Sequence, residues 1–147
     1  MRMKMKRENL LSKFRPVLYE LEIGPSAGKS NRKVVMKLIG KKIDRPSRRI
    51  TLHQKGLKIN RAEAVRTSKR GDQAHQITRI NHLPSFEEVR LHSDELMFPG
   101  DYQLELEYSL PEESAKELAS GQPPSRALTP SIDEPEAWSA AKIVLKS

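Results

Sequence analysis

The strongest constraint on the fold is an alternation of apolar and polar residues with a period of two. It is clearest in Tyr102–Tyr108, where every second residue is apolar and the residues between them include Gln and Glu. The same alternation occurs around Tyr19–Ile23 and Val34–Leu38, and shorter apolar pairs recur through the middle of the chain. Because successive side chains of a strand point to opposite faces, this pattern predicts β-strands.

Turn-prone segments separate the predicted strands, which favours antiparallel neighbours. These segments are residues 44–47, 69–72 and 81–85. One short helix is predicted near residues 111–120, with Pro111 as an early helical residue, glutamates near its positive end and Gly121 as its stop. The sequence therefore predicts an all-β fold, an antiparallel β-sandwich of short strands with one short helix.

Length and composition limit the possible classes of protein. The chain has 147 residues, of which 36% are hydrophobic, so one domain with a modest core is expected. Residues 1–12 are predicted to be a basic leader that can remain disordered, and residues 13–147 a single domain. Absence of cysteine excludes disulfides and thiolate metal sites. With no apolar run of membrane-spanning length, we expect a soluble, cytoplasmic protein without membrane contact.

Charge is distributed unevenly along the chain. Residues 1–80 contain 22 Lys and Arg against 6 Asp and Glu, whereas residues 81–147 contain 5 against 13. Two interpretations follow. The basic half can bind an external polyanion, or the two halves can face each other across neighbouring strands, where opposite charges stabilise a sheet modestly. The sequence favours the second interpretation without excluding the first.

The segment Gly24-Pro-Ser-Ala-Gly-Lys-Ser30 partly matches a phosphate-binding loop. It follows a predicted strand and ends in Gly-Lys-Ser, but it has three residues between its glycines where the loop needs four. The residues after it alternate as a strand, whereas a phosphate loop leads into a helix whose N-terminus faces the anion. A hairpin turn is therefore predicted here, and no nucleotide is expected.

No constellation of catalytic or metal-ligating residues is recognisable. The four histidines, His53, His75, His82 and His92, form no His-Glu-x-x-His motif and no pair at i, i+4 spacing. His53 is predicted to be a packed or hydrogen-bonded strand histidine. Adjacent carboxylates such as Glu87-Glu88 are expected to alternate between faces or to be solvated. No catalytic, metal or cofactor-binding residue is therefore predicted, and no cofactor.

The segment Arg126-Ala-Leu-Thr-Pro-Ser-Ile-Asp-Glu-Pro-Glu-Ala-Trp138 predicts a rigid corner that enters a strand. Each proline fixes its own φ and biases the residue before it towards extended geometry. The segment resembles the R-x-F-P-x-x-D-E-P signature in the N-terminal domain of the aminopeptidase N family of zinc peptidases. The residues that match are Arg126, Pro130, Asp133, Glu134 and Pro135. Leu128 and Ala141 stand where the family has aromatic residues.

Three further segments match the family's N-terminal domain in the same order. They are Arg15–Ile23, Arg49–Ile59 and Phe98–Tyr108, which resemble its P-x-x-Y-x-L-x-L, I-x-L-H-x-x-x-L-x-I and P-G-x-Y-x-L-x-I-x-Y strands. The resemblance implies a saddle-shaped all-β domain, here in a truncated form. In the family, the zinc ligands, the general-base Glu and the Gly-x-Met-Glu-Asn loop lie in a later domain. The resemblance thus implies a chain that does not hydrolyse peptides by itself.

Three functions are compatible with these features. The first and preferred one is a non-catalytic binding or scaffold module, which contacts another protein chain or a second copy through its sheet surface or an edge strand. The second is an accessory subunit of a split zinc aminopeptidase whose metal domain is on another chain. The third is a nucleic-acid-binding protein that uses the basic half. Its candidate residues are Lys41-Lys42, Arg45, Arg48-Arg49 and Lys69-Arg70.

Overall fold

A computed structural model describes residues 14–24, 31–54, 56–120 and 142–145 of the chain. Within these ranges it has eight β-strands and one α-helix. They are β1 (Phe14–Ile23), β2 (Asn31–Lys42), β3 (Ser47–His53), β4 (Ile59–Thr67), β5 (Gln73–Leu83), β6 (Glu88–Met97), β7 (Gly100–Pro111), α1 (Glu112–Ala119) and β8 (Lys142–Leu145). The predicted all-β class and the single short helix are confirmed.

The strands form one curled, mixed sheet in the order β3-β6-β5-β4-β7-β2-β1-β8. Every described pair is antiparallel except β1 with β8, which is parallel. A parallel neighbour requires a long connection, and 22 residues lie between the end of α1 and the start of β8. Among the described strands, β3 and β8 are the two edges of the sheet.

The period-two pattern of the sequence supplies a single hydrophobic core. On β7, Tyr102, Leu104, Leu106 and Tyr108 are almost completely buried, and the residues between them face outwards. The same cluster includes buried residues of β3 and β6, such as Leu52. Because one cluster contains the inner residues of both ends of the sheet order, the sheet must curl so that its inner faces enclose the core.

The curl coincides with a seam between β4 and β5. These strands pair only over Glu63–Arg66 and Gln73–Gln76, and beyond that point β4 continues along β7 while β5 continues along β6. The Ile59 N–H group lies at the open end of this seam and donates a hydrogen bond to His82 Nε2 at 3.0 Å. An imidazole thus satisfies a backbone donor of β4 in the region where β5 no longer pairs with it.

Helix α1 begins one residue later than the sequence predicts. Pro111 is the last residue of β7 and occupies the N-cap position, so it is not itself helical. Its extended backbone suits the end of a strand, and a proline there removes no N–H that the helix uses. Arg32 on β2 binds the Glu112 carboxylate in bidentate fashion, with N–O distances of 3.1 and 3.0 Å. This pair fastens the start of the helix to the sheet.

A buried lysine organises the connection between β2 and β3. Lys42 continues the inward-facing alternation of β2 and is only 2% exposed. Its ammonium group donates to the Asp44 carboxylate, to the Arg45 carbonyl at 2.9 Å and to Ser47 Oγ at 3.1 Å. Each of its three N–H groups thus has an acceptor, which burial of an ammonium requires. The first residue of β3 is therefore fixed to the last residue of β2.

The predicted hairpin between β1 and β2 agrees with the pairing of these strands. They are antiparallel neighbours, and the Gly24 N–H donates to the Lys33 carbonyl at 2.8 Å. Residues 25–30 lie outside the described residues, as do the basic leader and the corner at 126–138. Within the described ranges, no helix is long and apolar enough to cross a membrane.

Candidate functional site: an arginine face on three strands

Three arginines and a histidine lie together on the outer face of β3, β6 and β5. Strand register places Arg49 and Arg79 on either side of His92, while Arg90 lies two residues along β6 from His92. The residues that alternate with them, such as Leu91, point into the core. We call Arg49, Arg79, Arg90 and His92 the arginine face. Strands lie about 4.8 Å apart, so the arginines on the outer strands are separated by about 10 Å.

The arginine face has few compensating carboxylates. Arg90 is 3.3 Å from the buried Glu88 carboxylate. Among the described residues, the guanidinium groups of Arg49 and Arg79 have no salt bridge or hydrogen bond. A shallow depression of about 430 Å³ beside Arg79 and His92 is also lined by Arg48 and Asp94. Guanidinium groups without a partner present planar donors that match carboxylate or phosphate oxygens.

The outer face of the remaining strands has a different charge arrangement. Lys37 on β2 lies between Glu20 on β1 and Glu105 on β7, and Lys33 Nζ is 3.2 Å from Glu107. In this part of the sheet the basic and acidic halves of the sequence face each other across neighbouring strands. The second interpretation of the uneven charge therefore applies to β2, whose lysines face glutamates across neighbouring strands, whereas Arg49 and Arg79 have no such partner among the described residues.

The arginines affect the protonation of the histidine among them. Partial burial lowers the pKa of His92 from its ordinary value, and the positive charges of Arg79, Arg49 and Arg90 lower it further. Asn81 Nδ2 lies 3.2 Å from His92 Nε2, where a neutral imidazole accepts an amide N–H. At neutral pH the arginine face therefore contains an uncharged imidazole, and an anion bound there would favour its protonation.

The other histidines are separate from this site. His53 is buried at the end of β3, opposite Glu88, as expected for a packed strand histidine. His75 is buried on β5, with Nδ1 3.2 Å from a Glu95 carboxylate oxygen and its ring 6.1 Å from that of Tyr102. In the described part of the chain, no group of three or more His, Asp or Glu residues could hold a metal ion.

The hydrogen bond at the seam predicts acid sensitivity. Burial, followed by the charge of Lys58, lowers the pKa of His82, and its Nε2 must be unprotonated to accept from Ile59. Below about pH 6.5, His82 binds a proton more readily in the unfolded chain than in the folded chain. The free energy of unfolding therefore declines as the pH falls. We expect the free energy of unfolding in urea to fall between pH 7 and 5, and to fall less in His82→Gln, which retains an acceptor. An unchanged slope in this variant would contradict the assignment.

Sequence reasoning found part of the arginine face. Arg49 was a predicted basic candidate, together with its neighbour Arg48, whereas Arg79 and Arg90 were missed because each is an isolated cation with no basic neighbour. For Arg90, the available signal was its alternation with the buried Val89 and Leu91. Lys41 and Arg45 lie near the β2–β3 connection. Lys42 is buried, and Lys69-Arg70 lie in the β4–β5 turn, so these residues do not belong to the face.

Five residues that carry the aminopeptidase resemblance lie outside the described residues. They are Arg126, Pro130, Asp133, Glu134 and Pro135. In comparisons with known proteins, no family model and no curated protein matches this sequence.

Proposed function

We propose that the chain is a non-catalytic binding module, similar to the N-terminal β-domain of the aminopeptidase N family, and that its arginine face binds an acidic segment of a protein partner. The single observation that carries this proposal is the pair Arg49 and Arg79, whose guanidinium groups have no carboxylate partner among the described residues. Arginine is favoured at interfaces because its fork binds carboxylates in a bidentate geometry. Peptide hydrolysis is not expected from this chain alone.

The arrangement of the strands supports the resemblance. Of the segments that resemble the family, Arg15–Ile23 falls on β1, Phe98–Tyr108 falls largely on β7, and Arg49–Ile59 contains most of β3 and the first residue of β4. The apolar residues at the specified positions of the family patterns, such as Tyr19, Leu52 and Leu104, are buried in the same core. This agrees with strands whose alternate residues point to opposite faces. A binding role fits such a domain because a sheet surface can offer a rigid array of side chains.

A nucleic-acid partner is the second candidate, since phosphates also bind arginine. The outer face of β3, β5 and β6 is less suited to it, because these strands contain no Phe, Tyr or Trp on which bases could stack. Binding of this kind would be dominated by phosphates and would weaken steeply with salt. The acidic protein segment is therefore the better match to the geometry.

A pair of matched variants tests the proposed function. Arg49→Ser/Arg79→Ser and Lys33→Ser/Lys37→Ser each remove two positive charges, but only the first pair lies on the arginine face. The probe is a fluorescent peptide of alternating Thr and Glu, and the readout is its anisotropy. We expect the arginine variant to bind at least tenfold more weakly, about 1.4 kcal/mol, and the lysine variant to bind within twofold of the unmodified chain.

Two results would contradict the proposal. Equal weakening of binding by both variants would mean that the probe responds to net charge alone. No detectable binding to the unmodified chain would exclude an acidic protein segment as the partner. Single-stranded RNA of equal charge serves as the competing probe. If RNA bound more tightly than the peptide at physiological salt, with the same dependence on Arg49 and Arg79, the nucleic-acid function would replace the protein-binding one.

A further inference from the structure

A groove runs beside the edge of the sheet that is nearest to the arginine face. Among the described residues, β3 pairs with β6 on one side and with no strand on the other. The groove has a volume of about 250 Å³, and β3 contributes its successive residues Arg49, Ile50 and Thr51 to the lining. Phe14 lines the groove from the start of β1, Lys42 from the end of β2, and Asp44 and Arg45 from the β2–β3 connection. The Asp44 carboxylate is paired with the Lys42 ammonium group.

The charge of this edge limits what can pair with it. Arg48 and Arg49 are exposed on β3, Arg45 is exposed just before it, and a register shift lies between Ser47 and Arg49. Cations and bulges on an edge strand oppose pairing with an identical edge, because like charges would be brought together. The same cations favour an extended segment that carries carboxylates. A second copy joined through β3 is thus disfavoured.

We infer that an acidic segment of a partner binds as an added β-strand in the groove along β3. This inference rests on the proposed function, because it specifies how the acidic segment is held. An added strand lies about 4.8 Å from β3, and its alternate side chains point to the outer face. Carboxylates at those positions lie beside Arg49, while the backbone pairs with the outer N–H and C=O groups of β3. Main-chain pairing supplies affinity, and Arg49 selects acidic side chains, while Arg79, which is two strands away from β3, acts through its positive charge.

Hydrogen exchange tests the strand addition directly. Only alternate residues of an edge strand direct their N–H groups away from the sheet. We expect the blocked peptide Thr-Glu-Thr-Glu-Thr-Glu-Thr to slow exchange at alternate amides of residues 48–52 at least tenfold, measured by NMR on the full chain. A matched peptide with Pro in place of each Thr has the same charge, but it lacks the backbone N–H groups of the Thr residues and favours the polyproline II conformation. It is expected to bind at least tenfold more weakly.

The outcomes separate the inference from the proposed function. Equal binding of the two peptides, without alternate protection on β3, would overturn strand addition; loss of that binding in Arg49→Ser/Arg79→Ser would still support the arginine face. Protection of the outer β3 amides in the free chain would also overturn the inference, since a segment of the chain itself would then occupy the edge. If binding of the Thr-Glu peptide did not depend on Arg49 and Arg79, the proposed function would fail.

Discussion

Replacement of Asp44 by alanine is expected to reduce the free energy of unfolding by about 3 kcal/mol. The Asp44 carboxylate is the only anionic acceptor of the Lys42 ammonium group among the described residues, and the Lys42 side chain is 1% exposed. Without Asp44, a buried positive charge retains two neutral acceptors, the Arg45 carbonyl and Ser47 Oγ. The desolvation of the lysine is then no longer compensated. Urea unfolding monitored by circular dichroism measures the change.

A second variant isolates the cause of that loss. In Asp44→Ala/Lys42→Met, an apolar side chain of similar length replaces the buried ammonium group, so most of the lost stability should return. Lys41→Ala, which alters an exposed neighbour, should change the unfolding free energy by less than about 0.5 kcal/mol. A cost below about 1 kcal/mol for Asp44→Ala would show that the pair does not hold the β2–β3 connection. The same network positions β3, because Ser47 Oγ also donates to the Arg49 carbonyl at 3.0 Å.

Replacement of Gly40 by alanine is expected to cost about 2–3 kcal/mol, although alanine usually stabilises a strand relative to glycine. A Cβ at this position would lie 2.6 Å from the Arg15 carbonyl oxygen and 2.8 Å from a ring atom of Phe14. Gly40 pairs with Pro16 next to the register shift of β1, so the close backbone approach belongs to this irregular part of the ladder. Thermal and urea unfolding give the comparison with the unmodified chain.

The contribution of the Phe14 ring can be separated from that of the backbone. Phe14→Ala in the Gly40→Ala background removes the contact with the ring but leaves the contact with the Arg15 carbonyl. The double variant should therefore lose somewhat less unfolding free energy than the sum of the losses in the two single variants. Additive costs would mean that the ring is not part of the clash. An increase in stability on Gly40→Ala alone would contradict the close approach of β1 and β2 at this position.

The individual strands follow from the sequence more directly than their order in the sheet. Alternation predicted β7 and the first part of β2, because each has one buried and one solvated face. Turn-prone residues placed the turns at residues 44–47 and 69–72, and proline, acidic and glycine signals placed the helix to within one residue. The predicted turn at residues 81–85 was partly wrong, because residues 81–83 belong to β5. The parallel pairing of β8 with β1 was not predictable, since strand periodicity contains no information about which strands become neighbours.

The candidate site was less predictable than the fold for a similar reason. Arg49, Arg79 and His92 are far apart in the sequence and become neighbours only through the registers of β3, β6 and β5. Counting charges by halves identified a basic region, but pairing across strands decides which cations are neutralised. The burial of Lys42 had a signal that was overlooked, because it continues the inward phase of Val34, Met36 and Leu38 along β2.

Binding of an acidic protein segment to the arginine face can be measured by a chemical-shift titration. Chain labelled with ¹⁵N at the backbone and at the arginine side chains is titrated with the Thr-Glu peptide. We expect the largest shifts at Arg49, Arg79 and His92 and along β3, with a rise in the pKa of His92 on saturation. Shifts concentrated on the outer face of β1, β2 and β7, where Lys33 and Lys37 lie beside glutamates, or spread evenly over the sheet, would contradict this binding site.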